Sequence, residues 1–136
     1  MKRALILLLV VAACSKAPEA AAPPAASAAK PVTDSWPGKY EGDLIVKVDA
    51  AHKVMLIEGQ ADGCTGDIGL ADGGLATKPV SANELELSVQ PEGIALCTVR
   101  IRKDGDKLTV SESETCSAFH GATCSFNGTA VRMKAH

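Results

Sequence analysis

Over much of the chain from Trp36 to Arg132, apolar and polar side chains alternate in short runs separated by turn residues. Asp43–Asp49 places Leu44, Val46 and Val48 on one parity, the pattern of a half-buried strand. Ala50-Ala51-His52 reads as a turn and Lys53–Glu58 as the returning strand, which predicts an early hairpin. Glu84–Val89 alternates again, and Ala95–Arg102 gathers Cys97, Val99 and Ile101 on one side. Lys103-Asp104-Gly105-Asp106 is a hairpin turn by its residue types, with Lys107–Glu112 as the return strand. A last strand is predicted around Ser125-Phe126 or Thr129-Ala130-Val131.

The stretch between the first hairpin and Glu84 is harder to read. It holds Gly59, Gly63, Gly66, Gly69, Gly73 and Gly74. Cys64, Gly66, Ile68 and Leu70 share a parity, which predicts a third strand there with its cysteine facing inward, and Lys78–Asn83 reads as a connection. No helix of ordinary length is predicted. Short strands and frequent turns imply an all-β domain, a small antiparallel barrel or sandwich of about seven to eight strands, with the barrel favoured.

The first third of the chain follows another pattern. Met1-Lys2-Arg3 is a positive start, and Ala4 to Ala13 is an apolar run of ten residues. A membrane-spanning helix needs about 20, so the run reads as a signal peptide. Ser15 to Thr33 is rich in alanine and proline, and Pro18, Pro23, Pro24 and Pro31 break any helix. This stretch reads as a disordered, semi-extended tether that would reach about 60 Å if polyproline-like. Between leader and tether stands Val11-Ala12-Ala13-Cys14, which resembles the lipobox of bacterial lipoproteins. The resemblance implies cleavage before Cys14 and lipid on its sulfur, hence a membrane anchor of several acyl chains. In such lipoproteins an Asp after the cysteine favours the inner membrane, so Ser15 implies the outer membrane, facing the periplasm. The organisation is then a leader at 1–13, a lipidated tether at 14–33 and a domain at 34–136.

About 100 residues remain for the domain, enough for one small core. Aromatic residues there are few (Trp36, Tyr40, Phe119 and Phe126), so Val, Leu and Ile must fill it and covalent staples would help. Export leaves four further cysteines, Cys64, Cys97, Cys116 and Cys124, which read as two disulfides in an oxidising compartment. Four cysteines allow three connectivities. Strand parity suggests Cys64 with Cys97, which leaves Cys116 with Cys124. From Asp34 onward, 15 Asp and Glu face 10 Lys and Arg, a net charge of −5. No basic stripe exists, so nucleic acid is not an expected partner.

The segment Cys116–Phe126, CSAFHGATCSF, is the most distinctive patch. Its Cys116-x3-His120-x3-Cys124 spacing offers soft ligands for copper or zinc, whereas a disulfide-closed loop with His120 exposed at its tip needs no metal. No cofactor is expected. Phe119 reads equally as a core plug or as an exposed anchor, and Phe119 with His120 are the candidate binding residues. His120 beside Ser117 or Ser125 lacks a nucleophile elbow, so no catalytic residues are assigned. Glu112-x-Glu114 and Asp104-x-Asp106 read as solvated strand ends, and Asp62, Asp67 and Asp72 as turn residues.

A lipobox, a short tether and a disulfide-stapled all-β domain together resemble small envelope lipoproteins, among them the membrane-bound inhibitors of c-type lysozyme. The resemblance is architectural and carries over no inhibitory residue. It implies a non-enzymatic domain that binds a protein partner in the envelope, inhibition of a cell-wall hydrolase being one form of that role. A metal-binding lipoprotein and a structural envelope factor are the alternatives.

Overall fold

In the computed structural model, residues 35–71 and 73–135 are described. The leader, Cys14 and the tether lie outside them.

The domain is all-β. Nine strands form one curled antiparallel sheet, a half-barrel: β1 (Gly38–Gly42), β2 (Leu44–Val48), β3 (Val54–Gly59), β4 (Asp67–Ile68), β5 (Lys78–Ser81), β6 (Glu84–Val89), β7 (Cys97–Asp104), β8 (Lys107–Glu112) and β9 (Gly128–Arg132). Their order across the sheet is β4-β3-β2-β1-β9-β8-β7-β6-β5. First and last strands therefore meet at the centre, and the two ends of the sheet never pair. The result exceeds the expected seven to eight strands for two reasons. The entry segment after Trp36 pairs as β1, and Lys78–Asn83, read as a connection, supplies the edge strand β5 despite Pro79.

Alternation sorts the two faces as the sequence suggests. Inner rows run Tyr40–Val46–Ile57–Ile68 and Leu85–Ile101–Val110 across paired strands, and all of these residues are buried. On the outer face, Glu84 faces Arg102 and Glu86 faces Arg100, with the Arg100 Nε donating to Glu86 Oε2 at 2.9 Å. Opposite charges placed directly across strands favour this register.

The centre of the sheet is latched by Arg132 of β9. Its guanidinium donates to Pro37 O at 2.6 Å, to Ser35 O and to the Tyr40 hydroxyl, and lies over the Tyr40 ring at 4.7 Å. The Tyr40 hydroxyl in turn donates to Trp36 O at 2.9 Å. The entry point of the chain is thus held by its last strand.

Both sheet ends are blunt. β4 has two residues, and β5 carries a proline, a lysine and a shift in register between Pro79 and Ser81. Such edges discourage pairing with other chains.

Candidate functional site

Because the end strands do not pair, a seam separates the β3–β4 side of the sheet from the β6–β7 side. Two things cross it. One is the chain itself, between Leu75, which is bridged to Val54 at the start of β3, and Lys78, which pairs with Glu86 on β6. The other is a strap, residues 113–127, containing a 3-10 helix at Glu114–Phe119.

Two disulfides rivet the strap to opposite sides of the seam. Cys97–Cys116 joins it to the start of β7, and Cys64–Cys124 joins it to the β3–β4 connection. All four cysteines pair as expected, but not as Cys64–Cys97 and Cys116–Cys124. The strand expected through Cys64, Gly66, Ile68 and Leu70 is only Asp67–Ile68, so Cys64 lies in a connection and Leu70 is exposed, and the parity that suggested pairing Cys64 with Cys97 does not apply. The strap supplies one cysteine to each bank. With each sulfur committed to a different bridge, Cys116, His120 and Cys124 do not form a ligand set, and the copper or zinc reading loses its thiolates. Among the described residues no group of three His, Cys, Asp or Glu side chains is gathered to hold a metal.

Close approach also fixes the strap. A side-chain carbon on Gly66 would lie 2.2 Å from the His120 Cβ and 2.9 Å from Phe119 O. Only glycine permits the β3–β4 connection to touch the strap this closely. Thr115 Oγ1 donates to Leu96 O on the other bank.

Inside the strap lies a polar network centred on Glu112. In β8, Leu108, Val110 and Glu112 share the inward parity, and Glu112 faces Val99. Its side chain is 9% exposed and that of His120 7%. Neither the solvated strand end expected for Glu112 nor the exposed loop tip expected for His120 is found. His120 Nε2 lies 3.0 Å from Glu112 Oε2, and Nδ1 lies 3.0 Å from Gly121 O. Ser125 Oγ donates to Glu112 Oε1 at 2.8 Å. Asn127 Nδ2 donates to the same oxygen at 3.3 Å, while its Oδ1 accepts from Glu112 N at 2.9 Å. The Phe126 ring packs edge-on against the imidazole, 5.0 Å between centroids.

The order of this network matters chemically. The carboxylate stands between serine and imidazole, so the serine hydroxyl donates to Glu112 while both histidine nitrogens face other groups. Nucleophile activation needs the base next to the hydroxyl. Here the partners satisfy one another, which a buried charge requires to be tolerated.

Below the strap the core reaches the surface. A cleft of about 630 Å³ opens at the seam, within the usual range for ligand sites, about 300–1,000 Å³. Its apolar wall comes from Ile68, Ala71 and Leu75 on one bank, Val89 and Pro91 on the other, and Phe119 from the strap. Leu75, Val89 and Phe119 are partly buried and pack directly against the core. Phe119 thus combines both roles expected of it, packed on the core yet lining an opening. Ser88, Gln90 and Asp67 complete the lining, and Asp67 is its only charged group among the described residues. Two loops beside the cleft carry exposed apolar side chains, Leu70 at 65%, Leu96 at 46% and Ile94 at 37%.

The sequence named Phe119 but missed Leu75, Val89 and Pro91. Val89 continues the inward parity of Leu85 and Leu87 to a strand end, which was a usable signal; Leu75 lies among glycines without periodicity. A second depression, about 690 Å³, is lined only by polar residues of both signs at the outer end of the β5–β8 region, including Glu84, Arg102, Lys103 and Asp104. Its surface is predominantly polar.

Compared with protein families, with curated proteins and with solved structures, the chain matches none.

Proposed function

We propose that this chain is an envelope-anchored lipoprotein, held by lipid on Cys14 at the periplasmic face of the outer membrane, whose domain is a non-enzymatic binding module for a protein partner. The observation that carries the binding reading is the opening of the core at the strapped seam. A small domain with few aromatic residues leaves Phe119, Val89 and Leu75 only partly covered and surrounds them with exposed Leu70, Ile94 and Leu96. Contiguous apolar surface of this kind marks interaction sites. The disulfides hold both banks in place beforehand, which lowers the ordering cost of binding. The network around Glu112 supports a structural rather than a catalytic role for His120 and Ser125. A cell-wall hydrolase is the partner class that the location and the net negative domain favour, by electrostatic steering of a basic enzyme.

The test is site-specific photocrosslinking in cells with the full chain. A crosslinker at Leu70 or Ile94 is expected to trap a discrete protein, while one at Thr109, on the outer face of the sheet, is not. Labelled palmitate should enter the wild type and not Cys14→Ser. An unlabelled wild type would overturn the anchor, and crosslinks from Thr109 alone would overturn the binding site.

A further inference from the structure

Charge is distributed unevenly over this domain. The three segments that build the seam, residues 60–77, 88–96 and 112–127, hold Asp62, Asp67, Asp72, Glu92, Glu112 and Glu114 and not one lysine or arginine. All ten basic residues of the domain lie outside these segments; the one that borders them, Lys78, where the crossing reaches the other bank, is paired across strands with Glu86. Within the seam, Glu112 is occupied by His120, whereas Asp62, Asp67, Glu92 and Glu114 are exposed. Asp67 lines the apolar cleft and Glu92 follows its lining residue Pro91, and no lysine or arginine is among the described residues that line it.

From this pairing of apolar cleft and carboxylates we infer that the seam docks a cationic segment of its protein partner, one that inserts an apolar side chain between Ile68, Val89 and Phe119 and lays flanking lysines or arginines against Asp67 and Glu92. The inference rests on the protein-binding reading and specifies the chemistry of the partner. Electrostatic complementarity of this sort accelerates encounter and excludes wrong partners. Like-charge repulsion excludes anionic phospholipid surfaces and nucleic acid from the same site. Among the described residues the cleft lining holds no cation to receive a carboxylate, so a free fatty acid would bring its negative head group against Asp67.

The direct probe is a short synthetic peptide with lysines flanking a leucine–phenylalanine pair, titrated into the isotopically labelled protein. Two control peptides replace the lysines by glutamate or the apolar pair by serine. Saturable shifts are expected at Ile68, Leu75, Val89 and Phe119 with the cationic apolar peptide only. Raising the salt from low to physiological should weaken binding, since screening shortens to about 8 Å. The rim variants Asp67→Asn with Glu92→Gln, and Leu70→Ser with Ile94→Ser, change exposed positions and leave the core intact. Each pair should weaken binding by about tenfold, equivalent to about 1.4 kcal/mol.

Equal binding of the glutamate peptide, shifts confined to the outer face, or a fatty acid shifting the cleft while the peptide is silent would each overturn the inference. A crosslink from Leu70 to an acidic partner would overturn it while leaving the protein-binding reading in place. Absence of seam crosslinks alongside crosslinks from Thr109 would remove that reading as well.

Discussion

Two regions of this half-barrel are closed by different means. The wall, β2-β1-β9-β8, is joined by continuous antiparallel pairing, with Tyr40, Val46, Leu108 and Ala130 buried behind it. The seam has no strand pairing across it and is held by two disulfides, one chain crossing and a strap whose buried polar network must be complete to be stable. Where backbone pairing closes the sheet, its inner face is covered. Where side chains and disulfides close it, the core remains reachable. The difference explains how a domain of this size holds an accessible apolar cleft: its rigidity at the seam is covalent, so apolar contacts there need not be saturated.

Changes at the seam and at the wall should therefore have separable effects. The largest is expected from Cys64→Ser with Cys124→Ser, whose bridge spans 60 residues. Chain-entropy reasoning gives a loss of about 4 kcal/mol, against about 3 kcal/mol for Cys97→Ser with Cys116→Ser, whose bridge spans 19 residues. Denaturant unfolding measures both. Hydrogen exchange should show the seam amides of either variant losing protection while those of β1 and β9 keep theirs.

Next in size is Glu112→Ala, which takes from His120 Nε2 and Ser125 Oγ the carboxylate that both face. A loss of up to about 3 kcal/mol is expected from the hydrogen-bonding groups left unpaired, read by denaturant midpoint, whereas Glu114→Ala, at an exposed position, should change the midpoint little. Gly66→Ala should follow, at about 2 kcal/mol, because the strap must move away from a new methyl group; the cleft signals of Phe119 should shift even where the fold survives.

The smallest effect belongs to the wall and depends on pH. Asp43, at the β1–β2 turn, accepts from Thr129 N at 2.9 Å and from Thr129 Oγ1 at 3.0 Å on β9. The Thr129 backbone N–H, then its hydroxyl, hold the carboxyl below its ordinary value of 3.8, with Lys107 adding a smaller pull. A depressed carboxylate stabilises the fold above its unfolded pKa and ceases to do so as pH falls through the folded one. Asp43→Asn should thus be less stable than wild type at neutral pH, and the gap should narrow below about pH 4. A gap that widens in acid would contradict the assignment.

The wall was legible because alternation is a local signal. Leu44, Val46 and Val48, and the run from Lys107 to Val110, state their inner face within a few residues. The seam was not, because its parts are brought together from distant stretches with no shared period. Leu75 sits among glycines, Pro79 disguises an edge strand, and the β3–β4 glycines hide a strand of only two residues. Glu112 shows a different failure. Its parity with Leu108 and Val110 pointed inward, but its charge suggested solvent, and it is His120, Ser125 and Asn127, eight to fifteen residues on, that make an inward carboxylate tolerable. The cysteines announced their chemistry, yet their partners depend on which bank of the seam each segment occupies.

Disulfide mapping tests the strap most directly, because of where the basic residues fall. Trypsin leaves Cys64 and Cys97 together in residues 54–100, since Lys78 precedes a proline, and leaves Cys116 and Cys124 together in residues 108–132. Bridges across the seam predict that these two peptides remain one covalent species without reductant. Further cleavage after Glu92 and Phe119 should then release separate Cys64–Cys124 and Cys97–Cys116 pairs. Two free-running peptides, each closed on itself, would mean that residues 113–127 do not strap the seam, and the site built on it would fall.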